Sequence, residues 1–211
     1  MVKERAQSRN GIHEFQEHMT VMPMNSIGRL MAARMTVSQQ EFPQFALEID
    51  LNLSALVTHR GRLKAEHGIT ASKPPSYTVF FVKALASALK RHERVNSQFA
   101  GDKILIPSYS NIGVAMNTKL GLVVPVVHRA DMLSLGEITT KMEEYREKAR
   151  VGRFDLDDLS GGTFTLTNLG MHGIDRFRPL INPPQAAILA VGRILKKAVV
   201  NQETDEISVQ P

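Results

Sequence analysis

The sequence predicts an α/β (α+β) two-layer sandwich, and three observations carry that expectation. Stretches that alternate apolar with polar residues, or run apolar over a few positions, outnumber the stretches with helical periodicity. The helical stretches lie between the strand-like ones, so connections of mixed kind are expected. The composition, 43% hydrophobic and 22% charged over 211 residues, is that of an ordinary globular chain with a sizeable core.

Taken in order, residues 1–18, MVKERAQSRNGIHEFQEH, mix charges and hold no apolar stretch of the kind a secretory leader needs. They are expected to form a flexible arm or linker remnant, with residues 19–211 as the folded domain. In VMPMNSIGRLMAARMTVSQQ, Ile27, Leu30, Met31 and Met35 recur at helical spacing behind Asn25 or Ser26 as N-cap. The segment FPQFALEIDLNLS sets Phe45, Leu47, Ile49, Leu51 and Leu53 against Ala46, Glu48, Asp50 and Asn52, which predicts a strand with one wet face. Ser54 is expected to cap a polar helix that stops at Gly68, and GITASKPPS reads as a short loop.

SYTVFFVKALASALKRH is apolar on most sides and predicts a buried helix capped by Ser76. NIGVAMNTKLGLVVPVV predicts a hairpin or two consecutive strands about residues 119–121. SLGEITTKMEEYREKAR predicts an amphipathic helix with Ile138, Met142 and Tyr145 on its apolar face. GGTFTLTNLG then predicts a half-buried strand between glycine turns, and AAILAVGRI and KKAVV two more strands.

The same composition limits function. The chain has no cysteine, which excludes a disulfide framework, a thiolate nucleophile and a cysteine-based zinc site. It is also compatible with a reducing compartment, and a cytoplasmic location is expected. No apolar run reaches the roughly 20 residues that span a bilayer. The formal net charge of +5 is spread along the chain, which predicts a solvated basic surface. No nucleic-acid-binding motif accompanies it. Neither a membrane nor a nucleic-acid partner is expected, and no metal.

Several blocks together carry a resemblance. GGTFTLTNLG followed by INPPQAAILAVGRI is similar to the catalytic domain of the dihydrolipoamide acyltransferases of 2-oxo acid dehydrogenase complexes. GRLMAARMTVSQQEFPQF, FFVKALASALKRHERVNSQF, NIGVAMNTKLGLVVPVV and EKARVGRFDLDDLSGGTF agree with it in order, from about Met22 to the end. The resemblance implies a chloramphenicol-acetyltransferase-like fold, a mixed sheet flanked by helices, assembled as homotrimers that in relatives build larger cages. It implies transfer of an acyl group between a lipoyl dithiol and coenzyme A, with coenzyme A a substrate and the lipoyl group carried on a separate domain. Dehydrogenase subunits and that lipoyl domain are the partners it implies.

In the family a serine or threonine hydroxyl on the strand after the paired glycines stabilises the oxyanion, and Thr167 holds the matching position. Thr163 and Thr165 read as strand residues, and Asn168-Leu169-Gly170 as the turn that aims the hydroxyl. Asn168, Gly170 and Asn117 are the remaining candidates for substrate binding. Asn117 stands where many relatives carry aspartate, which weakens any ionic role there. Asn96 and the INPPQ loop read as structural, and Arg29 and Arg34 as candidates for a subunit boundary.

The family's base is the histidine of a His-x-x-x-Asp-Gly motif, and none of His13, His18, His59, His67, His92, His128 and His172 begins one. In relatives that histidine lies about fifty residues beyond the hydroxyl, a place past Pro211 here. The expectation is a sequence truncated before the motif and therefore impaired as this chain alone. A non-catalytic trimeric scaffold and a coenzyme A-binding homologue stay open beside it.

Overall fold

In the structure, a computed structural model, residues 20, 22–67, 74–119 and 121–211 are described. The expected arm at 1–18, the stop at Gly68, most of the 68–76 loop and Leu120 lie outside the described residues. The elements are α1 (Ser26–Glu41), α2 (Ser54–His67), α3 (Tyr77–Leu89), β1 (Gln98–Ala100), β2 (Lys103–Leu105), β3 (Ile112–Val114), β4 (Met116–Thr118) and β5 (Gly121–Val123). They continue as β6 (Val126–Val127), α4 (Leu135–Val151), β7 (Phe164–Asn168), β8 (Ile188–Val191), β9 (Lys197–Val200) and β10 (Ile207–Gln210).

The central sheet is mixed, in the order β6-β3-β7-β8. β3 runs antiparallel to β6 and parallel to β7, and β7 runs parallel to β8. The pairs β1–β2, β4–β5 and β9–β10 are separate antiparallel ribbons. Alternation along β7 decides the layering. Phe164 and Leu166 point to one face and pack with Val79, Val82 and Ala86 of α3 and Ile138, Met142 and Tyr145 of α4. Thr163, Thr165 and Thr167 point to the other.

Local chemistry accounts for the helices of the core layer. Ser76 accepts from Val79 N at the start of α3. Ser134 and Glu137 close a reciprocal capping box at the start of α4, and Gly152 ends that helix in the left-handed region at φ 73°. Ile138, Met142 and Tyr145 are buried, as the amphipathic pattern predicts, and the Tyr145 hydroxyl donates to Val126 O at 2.6 Å. Burial pushes that phenol well above its ordinary pKa, so it stays a neutral donor.

Three expectations need correction. The segment at 43–53 joins no sheet among the described residues, and both of its sides are exposed, the apolar one included: Phe45 is 86%, Leu47 88% and Ile49 80% exposed. Its polar side holds it to the chain instead. Asp50 meets Lys197 at 2.7 Å and Arg176 at 3.2 Å, Glu48 meets Arg178 at 3.5 Å, and Asn52 donates to Gln210 at 2.6 Å. Ser54 is the first residue of α2 rather than its cap, and the Asn52 carboxamide accepts its N–H at 2.9 Å. The third correction concerns β7, expected to be half-buried. Thr163, Phe164, Thr165 and Leu166 are all buried, because a central strand of this sheet is covered on both faces.

Candidate active site

β7 sits between β3 and β8, so its outer face is flanked in register by Gly113 opposite Thr165 and by Ala190 opposite Thr167. Over this face lies a cavity of about 230 Å³. Ala115, Thr165, Thr167 and Ile188 form its floor, Leu122 and Val124 one wall, and Met31 and Met35 of α1 its ceiling. Residues 177–182 close the far side through Phe177, Pro179, Leu180 and Asn182. The ceiling is fixed at one point. The buried Ser38 hydroxyl donates to Ile181 O at 2.5 Å, and the Gln44 amide bridges Ser38 O and Ile181 N.

The three outward threonines differ in what they touch. Thr163 Oγ donates to Asn96 Oδ1 at 2.7 Å and accepts from Asn111 N at 3.1 Å. Thr165 Oγ donates to Gln185 Oε1 at 2.6 Å, and Gln185 is itself held by Gly162 O. Thr167 is half-buried, lines the cavity and makes no side-chain hydrogen bond among the described residues. Its O–H is therefore free to donate to a group entering the cavity.

The other candidates are placed as follows. Asn168 donates to Thr78 Oγ at 3.2 Å and accepts from Gly170 N at 2.9 Å, which closes the turn after β7. Gly170 packs so closely on the chain beyond β8 that a Cβ there would lie 2.6 Å from Gly192 O. Asn117 is exposed on β4, opposite the cavity residue Leu122 on β5. Only Thr167 of the four lines the cavity. Asn96 is buried and donates to Tyr109 O, a structural role. Arg29 donates to Met24 O, and Arg34 is exposed on α1.

None of the described histidines lines the cavity. His128 contacts Asp157 O at 3.0 Å, His59 lies edge-on to Phe80, His92 precedes one short 3-10 turn and His172 ends another. His13, His18 and the His67 side chain lie outside the described residues. Among the described residues no group of acidic or histidine side chains is arranged to hold a metal ion.

Sequence reading missed the cavity walls. Met31 and Met35 look like ordinary core positions of a helix, and nothing near Phe177 or Leu180 in sequence marks them as lining. Asn182 of the INPPQ loop, read from sequence as structural, lines the cavity as well.

The profile of the 2-oxoacid dehydrogenases acyltransferase (catalytic domain) family matches residues 16–211. The chain belongs to this family. Its relatives include the dihydrolipoyllysine-residue acetyltransferase component of the mitochondrial pyruvate dehydrogenase complex of Dictyostelium discoideum, 38% identical over 88% of this chain and 29% of the relative. The succinyltransferase component of the Cupriavidus necator 2-oxoglutarate dehydrogenase complex is 34% identical over 90% of this chain and 45% of its own length. The lipoamide acyltransferase component of the branched-chain α-keto acid dehydrogenase complex of Bacillus subtilis is 35% identical, over 85% and 42%. This acyltransferase domain thus spans less than half the length of those relatives.

Among solved structures, a probable dihydrolipoamide acetyltransferase of Listeria monocytogenes superposes with a TM-score of 0.86 at 35% identity, covering 92% of this chain and 82% of the other. That of Azotobacter vinelandii, in which a serine, a histidine and an asparagine were investigated for catalytic roles, gives 0.85 at 26% identity, over 92% and 79%. The mixed sheet flanked by helices is therefore the fold of these catalytic cores, as the resemblance implied.

Proposed function

We propose that this domain transfers an acyl group between a dihydrolipoyl thiol and coenzyme A, with Thr167 as the oxyanion donor. The observation that carries the reading is the Thr167 hydroxyl, half-buried, without a side-chain hydrogen bond among the described residues and facing an apolar cavity, on the strand where the family resemblance places a catalytic alcohol.

The chemistry follows from the thiol. With a pKa of about 8.5, it is mostly protonated at neutral pH and needs a base as it attacks. The proton of the coenzyme A thiol passes to the base and its sulfur bonds to the acyl carbon. The carbonyl oxygen then takes up negative charge, to which Thr167 Oγ–H donates. Collapse breaks the bond to the lipoyl sulfur, which recovers the proton. A donor placed for the oxyanion contributes roughly 10²–10³ in rate. Replacing Thr167 by Ala is expected to lower turnover by that roughly 10²–10³, and Ser in its place to retain much of it. Coenzyme A-dependent deacylation of acyl-dihydrolipoamide measures this, and an Ala variant as fast as the parent would overturn the reading.

No described histidine reaches the cavity, so the chain by itself is expected to be slow and to gain rate when imidazole is supplied. The same observation favours the second reading, a non-catalytic scaffold or coenzyme A-binding homologue. Titration with coenzyme A separates those two, and a rate unmoved by imidazole favours both over the enzyme. The homotrimer, with its channel where subunits meet, belongs to the proposal and draws support from the exposed apolar side of residues 45–51. A larger cage, partner dehydrogenase subunits, a lipoyl group carried on a separate domain and a cytoplasmic setting complete it.

A further inference from the structure

Acetyl-, succinyl- and branched-chain acyltransferases match this chain at 38%, 34% and 35% identity, so likeness does not choose among acyl groups. The cavity does. Resting on the transferase reading above, we infer that the space over Thr167 takes an uncharged aliphatic acyl group and rejects a dicarboxylic one such as succinyl.

Its walls are aliphatic or aromatic: Met31, Met35, Leu122, Val124, Phe177 and Ile188 dominate them. The polar side chains on it are Thr165, Thr167 and Asn182. Thr165 already donates its hydrogen bond to Gln185 Oε1, and Thr167 is the donor that the thioester carbonyl needs in this reading. A carboxylate carried in here would lose its water and find no lining cation, with the Asn182 carboxamide the one donor left to meet it.

Three arginines close in sequence to the lining are paired elsewhere. Arg176 and Arg178 flank Phe177 but lie outside the lining, where they meet Asp50 at 3.2 Å and Glu48 at 3.5 Å. Arg193 is paired with Asp175 at 2.8 Å. Arg34 lies on α1 between the two ceiling methionines and is exposed, outside the lining.

Calorimetric titration of the full chain with S-acetyl-, S-isobutyryl- and S-succinyl-dihydrolipoamide, without coenzyme A, tests the inference. The uncharged thioesters are expected to bind at least about tenfold more tightly than the succinyl one. Succinyl affinity equal to theirs or greater overturns the inference, and so does failure of all three to bind. In Leu122→Arg, a change at a partly exposed wall residue, the preference is expected to narrow by about tenfold. An unchanged ratio in a folded variant counts against the cavity as the acyl site. Transfer to coenzyme A is then measured separately with imidazole present. Selective binding without transfer leaves the acyl preference standing and removes the transferase reading, whereas transfer that favours succinyl removes the preference alone.

Discussion

Thr163, just before β7, and Thr165 and Thr167 on it place one repeated residue in two different settings. The first two knit β7 to distant parts of the chain, Asn96 and Gln185, and the third has nothing of its own to hold. Valine, nearly the same in shape, separates the two roles. At Thr163 it strands a buried carboxamide oxygen and the Asn111 N–H, and is expected to lower unfolding free energy by about 1–3 kcal/mol in denaturant titration. At Thr167 the same change is expected to stay within about 0.5 kcal/mol, since no bond is lost. In sequence the three are indistinguishable by spacing, and family likeness alone singled out Thr167. The partners that tell them apart lie up to 67 residues away in the chain, out of reach of any local pattern.

At the scale of elements, helices were legible wherever a cap and an apolar face coincided. Asn25 caps α1 and Ser76 caps α3 as their sequences suggest, and the apolar face of α4 is the buried one. The segment at 43–53 was legible in its alternation but not in its burial, because alternation states that two faces differ without saying whether either is covered within the same chain. α4 also carries the clearest pH dependence. Burial raises the Asp158 carboxyl, but Lys148 at 2.6 Å, the Asp155 N–H at 3.0 Å and Lys141 at 3.9 Å outweigh it, so its pKa lies below the ordinary carboxylate value. A lowered carboxylate pKa stabilises the fold above the unfolded-state pKa, about 3.9 for aspartate, and that contribution disappears as pH falls through the native value. Asp158→Asn is therefore expected to flatten the loss of thermal stability between about pH 5 and pH 3. An acid limb as steep as the parent's would show that this pair does not set it.

For the whole molecule, the open question of assembly falls on one surface. Ion pairs from Glu48 and Asp50 fasten residues 43–53 to the chain while Phe45, Leu47, Ile49 and Leu51 face outward. A contiguous apolar row of this kind is unusual on a lone soluble protein and marks a contact surface. The double change Leu47→Asp, Ile49→Asp is expected to shift the chain to a smaller sedimenting species with its circular dichroism spectrum unchanged. Retention of the parent's sedimentation coefficient would place the contact elsewhere. The α/β class, a mixed sheet with helices, was visible from the order of periodic segments. The cavity was not, since its residues come from α1, the β5 ribbon, the central sheet and the 177–182 loop, and only folding assembles them.

The hydrogen bond from Ser38 to Ile181 has a consequence for how a domain of this family could diversify. It suspends the two methionines of α1 from a loop, whereas Thr167, the proposed oxyanion donor, stands on the sheet beneath. Headroom and that hydroxyl thus reside on different pieces of chain, so trimming or lengthening a ceiling side chain would retune which guests fit and leave the proposed donor undisturbed.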